Sequence, residues 1–339
     1  MDLYFTFDYE LFLGPETGSV NNCLIIPCKK LAEIAKKHNV KFVFFVDVLY
    51  LLKLRDYIND SVSARKDFDA VYQQLQSLSF SGHDLELHLH PQWYYSTYKV
   101  KESKWEMDYL HYRLDDCSLD DVRSMVSQGI LFLKEITGKY PIAYRAGGYC
   151  FPCNREIQDL LSKSGIIFDS SVLLNECCTS EFQSYDYSSV HVNSPYSFKD
   201  DNIVSVSSSE SVFTEYPIST FKYYSLHRSL LERIDKWSGN RMGGGKIYGD
   251  GKGVGYLKEK KSENIPFFAR IIRKEYIRAS TDGFRSFFLS RLYAKVKQKN
   301  KSYLMIIGHP KNQSDYSLNQ INDFLERMDS SDRVLTFLD

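Results

Sequence analysis

The sequence predicts an α/β fold in which seven or eight β/α units form a distorted barrel with a helical, glycine-rich insertion. Strand-like and helix-like patterns alternate through most of the 339 residues, an order that indicates a parallel sheet. The run Val40 to Val48 is almost continuously β-branched or aromatic, as in a strand covered on both faces. Hydrophobic residues make up 43% of the chain, so a large core can form.

Hydrophobic periodicity places the elements in chain order. We expect strands at 3–9, 40–48, 84–90, 142–145, 166–168, 203–206, 212–218, 304–308 and 333–338. We expect helices at 26–38, 65–79, 119–137, 155–164 and 317–329. Ser118 and Asn154 are capping residues at the third and fourth helices, and Gly138 and Gly165 end those two helices.

Residues 219–300 interrupt this alternation. They contain helical stretches at 225–237, 265–278 and 284–298, and a loop, 239–255, that holds eight of the 18 glycines. Because a further strand and helix follow, we interpret the segment as an insertion or lid within one barrel domain of residues 1–339. The glycine-rich loop is expected to be a mobile lid near the substrate.

Composition excludes several classes of protein. Lys plus Arg and Asp plus Glu number 43 each, so the net charge is zero and nucleic-acid binding is not expected. No apolar run reaches about 18 residues, and the first residues do not resemble a signal peptide, so the expected location is the cytoplasm. Basic residues between 258 and 298 predict a solvated face, with peripheral membrane contact or an anionic glycan as the alternative. The oligomeric state is not indicated.

The seven cysteines form no regular framework, which predicts reduced thiols. Cys150 and Cys153 have CxxC spacing. We interpret them as buried thiols rather than as a zinc or redox site.

Ionisable residues recur where the expected strands end. Asp8 and Glu10 share one face of the first strand, and His88 and His90 share one face of the strand near residue 85. Other strand ends contribute Arg145, Asp169, Glu215 and His309. Barrel enzymes place their active sites at this carboxyl-end rim.

Two imidazoles and one carboxylate are a common ligand set for Zn²⁺ or another first-row divalent ion. Such an ion lowers the pKa of its water and polarises a carbonyl group. A second carboxylate can then accept a proton, and a distant histidine can protonate the leaving group.

Four segments, in this order, resemble the motifs of polysaccharide deacetylases with the NodB-homology fold. They are Thr6-Phe7-Asp8-Tyr9-Glu10, Gly82-His83-Asp84-Leu85-Glu86-Leu87-His88-Leu89-His90-Pro91, Arg145-Ala146-Gly147-Gly148-Tyr149 and Gly308-His309-Pro310. The resemblance covers the chain except 219–300. It implies a distorted (β/α) barrel that hydrolyses N-acetyl groups of a sugar or glycan during polysaccharide or lipopolysaccharide synthesis.

The resemblance also implies roles for individual residues. Asp8 is the general base, oriented by Arg145, and His309 is the general acid. The metal ligands are Glu10, His88 and His90. The metal is zinc first, with cobalt or nickel as alternatives, and its bound water attacks the acetamide.

The motifs depart from the family pattern at three places, of which one is the absence of the usual Pro-Tyr pair after Arg145 in the third motif. Tyr9 separates the two carboxylates, so the roles of Asp8 and Glu10 could be exchanged. The two histidines are two residues apart instead of four, which leaves Gln92 or His83 as alternative ligands. Asp169 and Glu215 remain candidates for supporting or substrate-binding groups.

Two other functions stay open at this point. A metal-independent glycoside hydrolase would use Asp8 and Glu10, or either with Glu215, as paired carboxylates. A non-catalytic relative would bind sugars on the aromatic surface of residues 93–95.

Overall fold

Parallel strands form the centre of the protein, with helices packed around them. The computed structural model describes residues 1–198, 202–207, 213–224, 245–254, 274–299 and 301–339. In these ranges the strands are β1 (Asp2–Tyr9), β2 (Val43–Asp47), β3 (Asp84–Leu89), β4 (Thr97–Lys99), β5 (Lys104–Glu106), β6 (Ala143–Ala146), β7 (Phe168–Asp169), β8 (Cys177–Thr179), β9 (Ser184–Asp186), β10 (Tyr196–Phe198), β11 (Val206–Ser207), β12 (Phe213–Glu215), β13 (Thr220–Tyr224), β14 (Lys274–Arg278), β15 (Tyr303–Gly308) and β16 (Arg333–Val334). The helices are α1 (Ile26–Lys37), α2 (Val48–Arg55), α3 (Val62–Phe80), α4 (Gln92–Tyr95), α5 (Leu119–Thr137), α6 (Arg155–Lys163), α7 (Leu289–Gln298) and α8 (Asp315–Arg327).

The main sheet has the order β11-β10-β12-β7-β6-β3-β2-β1-β15, and β16 also pairs with β1. All pairs from β12 to β15 are parallel, whereas β10 is antiparallel to both neighbours. Beyond β15, the Ser219 amide donates to the Met305 carbonyl at 3.2 Å and the Ile307 amide donates to the Ala279 carbonyl at 2.9 Å. The sheet is a curled half-barrel, which confirms the expected distorted α/β barrel.

The core lies on both sides of the central strands. Every residue of β2 and β15 is buried, because helices cover one face and the barrel interior covers the other. The Phe7 ring packs against Phe42 and Phe44, with ring centroids 5.3 and 5.6 Å apart. Burial of each such side chain stabilises the fold by about 1.5–3 kcal/mol, so the central strands form a rigid base for the residues at their ends.

The ends of two helices lie at the capping residues expected from the sequence. Ser118 Oγ accepts a hydrogen bond from the Asp121 amide at 3.2 Å, and α5 ends at Gly138, whose φ is 75°. Asn154 Oδ1 accepts from the Glu156 amide at 2.9 Å at the start of α6. In the part of the chain that the structure describes, no helix combines the length and apolar content needed to cross a lipid bilayer.

Some of the elements predicted from the sequence differ from the structure in type or in length. Residues 274–278 form β14, which pairs with β13, and not the end of a helix at 265–278. The last strand stops at Val334 instead of residue 338. Helix α2 was not expected, since it follows β2 without a loop inside one apolar run. The expected helix at 225–237 lies outside the described residues.

Candidate metal centre

The carboxyl ends of neighbouring parallel strands bring polar side chains together at one end of the barrel. In sheet order the contributing strands are β15, β1, β2, β3 and β6. Their ends or the residues just after them supply His309, Glu10, Asp47, His88, His90 and Arg145. Since parallel strands end at the same edge of a sheet, residues far apart in the chain meet there.

Glu10, His88 and His90 form a buried group whose ligand atoms all lie within 4.8 Å of one another. Glu10 Oε2 is 3.2 Å from His88 Nε2 and 3.2 Å from His90 Nδ1. This is the ligand set that the motif resemblance implies. Two imidazoles and a carboxylate fit a first-row divalent cation.

The backbone fixes which nitrogen of His88 faces the group. Its Nδ1 lies 2.7 Å from the carbonyl oxygen of Arg145. A carbonyl only accepts, so Nδ1 carries a proton and Nε2 faces Glu10. Burial lowers the pKa of His88, but Glu10 and Asp8 outweigh it and raise the pKa to about 9. The carboxylates that favour a proton on Nε2 also favour a metal cation there.

Asp8 is held by the fully buried side chain of Arg145. Arg145 Nη1 donates to Asp8 Oδ1 at 2.6 Å, and its Nη2 donates to Thr6 Oγ1 at 3.0 Å and to Ser170 Oγ at 2.8 Å. The guanidinium also lies over the Phe45 ring, 4.1 Å from the centroid. Asp8 is therefore fixed in orientation, and its Oδ2 lies 3.5 Å from His309 Nε2.

His309 has its own carboxylate partner, Asp282. Asp282 Oδ2 is 2.7 Å from His309 Nδ1, and Asp282 Oδ1 accepts from the His309 amide at 2.7 Å. Burial lowers the pKa of His309, but the negative charge of Asp282 outweighs it, so the pKa lies above its ordinary value. The Nε2 atom points toward Asp8 and Glu10, and it carries a proton more readily than that of a free imidazole.

Lys311 is the second partner of Glu10. Its Nζ donates to Glu10 Oε1 at 2.7 Å and to the Leu11 carbonyl at 2.7 Å. Burial raises the pKa of Glu10, yet Lys311 and His90 outweigh burial and hold the pKa well below its ordinary value. Glu10 thus ionises more readily than a free carboxyl group, and its Oε1 contacts Lys311 while its Oε2 contacts the two histidines.

A cavity of about 220 Å³ opens onto this group. Its lining includes Asp8, Glu10, Phe12, His88, His90, Tyr112, Tyr149, Gly253, Val254, His309 and Lys311. A larger cavity of about 650 Å³ lies between α1 and α3 and shares no lining residue with it. Among the described residues, the larger cavity has no group of metal ligands, so the smaller one is the candidate site.

Asp169 and Glu215 lie inside the barrel, away from the cavity. They pair across β7 and β12, and both are fully buried. The Val172 amide donates to Glu215 Oε1 at 3.0 Å. Burial and the charge of Asp169 raise the pKa of Glu215 well above its ordinary value. Neither carboxyl group lines the candidate site.

Other expected site residues also lie elsewhere. His83 Nδ1 accepts from the Phe42 amide at 3.0 Å and lines the larger cavity, so it is not part of the ligand group. Gln92 is buried, and its Oε1 has no hydrogen-bond partner among the described residues. Cys150 is buried as expected, but Cys153 is exposed.

Trp93 is fully buried, so it cannot present a sugar-stacking surface. Its ring packs against Tyr50 and Trp105, with centroid distances of 4.9 and 5.1 Å. The expectation of an aromatic surface at 93–95 was wrong for this residue, because the indole belongs to the core.

Sequence reasoning missed three residues of the site. Asp47 ends β2, as Arg145 and Asp169 end or nearly end their strands. A search for ionisable residues at all strand ends would therefore have found it. Lys311 stands two residues after His309, but nothing in its spacing points to Glu10. Asp282 lies in the segment interpreted as an insertion and had no signal, because its contact with His309 comes only from the fold.

Comparison with solved structures identifies the fold. A putative polysaccharide deacetylase from Mycobacterium smegmatis matches with a TM-score of 0.50 and 16% identity, covering 99% of this chain and 87% of that chain. The PuuE allantoinase matches with a TM-score of 0.49 and 10% identity, covering 99% and 87%. A family 4 acetyl xylan esterase from Clostridium thermocellum, solved with a cobalt ion, matches with a TM-score of 0.29 and 14% identity, covering 52% and 60%.

No protein-family model and no curated protein matches the sequence. The structural match to the mycobacterial protein spans nearly the whole chain. It agrees with the curled, largely parallel sheet described above. The chain has the NodB-like fold of polysaccharide deacetylases.

Proposed function

We propose that this protein is a metal-dependent hydrolase that removes N-acetyl groups from a carbohydrate. The observation that carries the proposal is the buried group of Glu10, His88 and His90 at the base of a cavity, with Asp8 and His309 beside it. Zinc is the first candidate for the ion, followed by cobalt and nickel. An N-acetylated sugar or glycan, as expected from the motif resemblance, is the proposed substrate.

Glu10 Oε2, His88 Nε2 and His90 would hold the ion. A divalent cation bound there supplies Lewis-acid chemistry, polarising a carbonyl oxygen and acidifying water. Glu10 suits this role because Lys311 keeps it ionised. Three protein ligands leave open positions for water and substrate, as a catalytic site requires.

Asp8 is proposed as the general base. It lines the cavity, and the hydrogen bond from Arg145 fixes one of its oxygens so that the other faces the open space. An oriented carboxylate can take the proton of an attacking water molecule. Arg145 acts through Asp8 and does not line the cavity.

His309 is proposed as the general acid. Asp282 raises its pKa and orients the ring through Nδ1, so that Nε2 presents a proton to the cavity. The departing amine needs this proton when the acetamide C–N bond breaks. A carboxylate behind a histidine has the same orienting effect in many hydrolytic sites.

The two alternative functions have less support. A glycoside hydrolase needs one protonated carboxyl group in the cavity, whereas Glu10 has a lowered pKa and Glu215, whose pKa is raised, lies outside the cavity. A sugar-binding relative would need an exposed aromatic platform, and Trp93 is buried. Action in polysaccharide or lipopolysaccharide synthesis, and a cytoplasmic location, stay predictions.

Acetate release tests the proposal. The protein is stripped with a chelator, supplied again with Zn²⁺, Co²⁺ or Ni²⁺, and assayed on a panel of N-acetylated sugars and nucleotide sugars. We expect metal-dependent release, and a loss of at least about 100-fold in the variants Asp8→Asn and His309→Gln. His111→Ala, a histidine that does not line the cavity, is the control that keeps activity. Activity that survives the chelator, or no release from any substrate, would contradict the proposal.

A further inference from the structure

Asp47 is a buried carboxylate that the proposed mechanism does not use. It is the last residue of β2, and its Cα is in register with His88 on the neighbouring strand. Only 2% of the residue is exposed. It lies outside the group formed by Glu10, His88 and His90, but it contacts one member of that group directly.

The two oxygens of Asp47 have different surroundings. Oδ2 accepts a hydrogen bond from Trp93 Nε1 at 2.8 Å and lies 3.2 Å from His90 Nδ1. Oδ1 is buried and has no hydrogen-bond partner among the described residues. An ionised carboxylate removed from water loses several kcal/mol of solvation energy unless a positive charge or further hydrogen bonds replace it.

The other carboxylates at this end of the barrel have basic partners. Asp8 is paired with Arg145, Glu10 with Lys311 and Asp282 with His309. Among the described residues, Asp47 has no lysine or arginine within 4.0 Å, and His90 is its one basic contact. The positive charge that would balance Asp47 therefore has to come through His90.

We propose that Asp47 is a positioning residue of the metal centre, which holds the imidazole of His90 and supplies negative charge that the bound cation neutralises. The inference rests on the proposed function, because it presumes that Glu10, His88 and His90 hold an ion. A negative charge beside a ring nitrogen that faces a ligand group favours a cation at that position. Asp47 Oδ2 and Glu10 Oε2 each lie 3.2 Å from the same nitrogen, His90 Nδ1, so two carboxylates stand beside the nitrogen that faces the group.

Trp93 extends the arrangement into the core. Its indole donates to the same Oδ2 atom that contacts His90, and its ring is fixed between Tyr50 and Trp105. Asp47 is thus oriented by a rigid aromatic cluster. Two contacts therefore link the core to the candidate metal centre: Trp93 to Asp47, and Asp47 to His90.

Metal affinity is the direct test. The dissociation constants of Zn²⁺ and Co²⁺ are measured by competition with a chromophoric chelator for the wild type and for Asp47→Asn. Asparagine keeps the shape and the acceptor for Trp93 but removes the charge. We expect Asp47→Asn to weaken binding of both ions by about 10- to 100-fold and to change the visible absorption spectrum of bound Co²⁺.

Glu215→Gln is the matched control, since it makes the same change from carboxyl to amide at another buried strand end that does not contact the group. It should bind both ions like the wild type. Trp93→Phe is the second variant, which keeps the carboxylate but removes its indole donor, and it should weaken binding several-fold. Circular dichroism confirms folding of each variant.

The outcomes separate the two proposals. A wild type that binds the ions while Asp47→Asn and Trp93→Phe bind them equally well, with the same Co²⁺ spectrum, would overturn the role of Asp47 and leave the proposed function intact. A wild type that binds neither ion would overturn both.

Discussion

At the scale of single residues, the partner of each ionisable group determines its chemistry. Lys311 keeps Glu10 ionised, whereas Asp282 raises the pKa of His309. The same two residue types would behave differently in water, where an isolated carboxylate and imidazole have ordinary pKa values. The lowered pKa of Glu10 and the raised pKa of His309 therefore come from their neighbours Lys311 and Asp282.

Gly147 is a residue whose lack of a side chain leaves room for His90. A Cβ atom there would lie 2.6 Å from His90 Cδ2 and 2.6 Å from the Leu89 carbonyl oxygen. The backbone oxygen cannot move cheaply, so Gly147→Ala should displace the imidazole. We expect a loss of about 1–3 kcal/mol in the free energy of unfolding and at least about tenfold weaker Zn²⁺ binding, measured by urea denaturation and chelator competition.

Gly138→Ala is the matched control for Gly147→Ala. Gly138 has a φ of 75° and no atoms within 4 Å of the added Cβ. It should lose about 1 kcal/mol because an L-residue disfavours that backbone conformation, with Zn²⁺ affinity unchanged. Equal Zn²⁺ affinity in both variants would show that Gly147 does not position His90.

Glu215 predicts a dependence of stability on pH. Its pKa is raised well above the ordinary value of 4.5, mainly by burial and then by Asp169. Between 4.5 and the raised value, the unfolded chain releases a proton that the folded protein retains, so the free energy of unfolding falls as pH rises. Glu215→Gln cannot ionise, and it should gain stability relative to the wild type across this range.

Urea denaturation of both proteins at several pH values from about 4.5 to 8 measures this effect. Each unit of pKa shift corresponds to about 1.4 kcal/mol. Glu215→Ala, which also removes the acceptor of the Val172 amide, is the comparison, and it should be less stable than Glu215→Gln. A difference between wild type and Glu215→Gln that stays constant with pH would contradict the raised pKa.

At the scale of elements, strands and helices marked by an apolar run or a capping residue were predictable from the sequence. Strands that form only by pairing with a segment far away in the chain were not. The apolar runs of β2 and β15 and the capping residues of α5 and α6 appear in the sequence itself. The pairing of Thr220 with Arg278 joins β13 to β14 across more than 50 residues, and no periodicity in 274–278 reveals it. The positions of ionisable residues at strand ends predicted that Glu10, His88 and His90 lie close together, but their roles stay predictions.

Two residues of the segment 245–254, Gly253 and Val254, line the cavity. The Gly249 amide donates to the Lys311 carbonyl at 2.9 Å, and the Val254 amide donates to the Leu13 carbonyl at 2.7 Å. Asp250 ties the segment to the start of the chain, accepting from the Ser19 amide at 2.7 Å and from Asn22 Nδ2 at 2.8 Å. The part of the glycine-rich loop that the structure describes therefore lies beside the candidate metal centre.

Asp250→Ala should weaken the attachment of the segment 245–254 without removing a candidate metal ligand. We expect a loss of about 1 kcal/mol in stability, since its hydrogen bonds are near the surface, and faster hydrogen exchange in peptides covering 12–22 and 245–254. Zn²⁺ affinity should not change, while KM for the sugar should rise. Asp159→Ala, which removes a surface contact with Lys163, is the control. Unchanged exchange in both peptides would show that Asp250 does not hold the segment.

At the scale of the whole molecule, the candidate metal centre joins strands that are not neighbours. Glu10 follows β1 and the two histidines lie at the end of β3, with β2 between these strands. The contact between His88 and Glu10 spans 78 residues of chain. A cation held by these residues would connect the strands at one end of the barrel, and an unfolded chain cannot present the same arrangement. Metal binding and barrel stability should therefore be coupled.

Thermal unfolding of the chelator-treated protein with and without Zn²⁺ measures this coupling. Zinc at a free concentration of 100 times its Kd should stabilise the folded state by about 2.7 kcal/mol, which raises the Tm by several degrees in a protein of this size. His88→Ala should show almost no increase, because only Glu10 and His90 remain of the ligand set. If zinc raised the Tm of His88→Ala as much as that of the wild type, the ion would be binding elsewhere, and the stabilisation could not be assigned to the strand ends of β1 and β3.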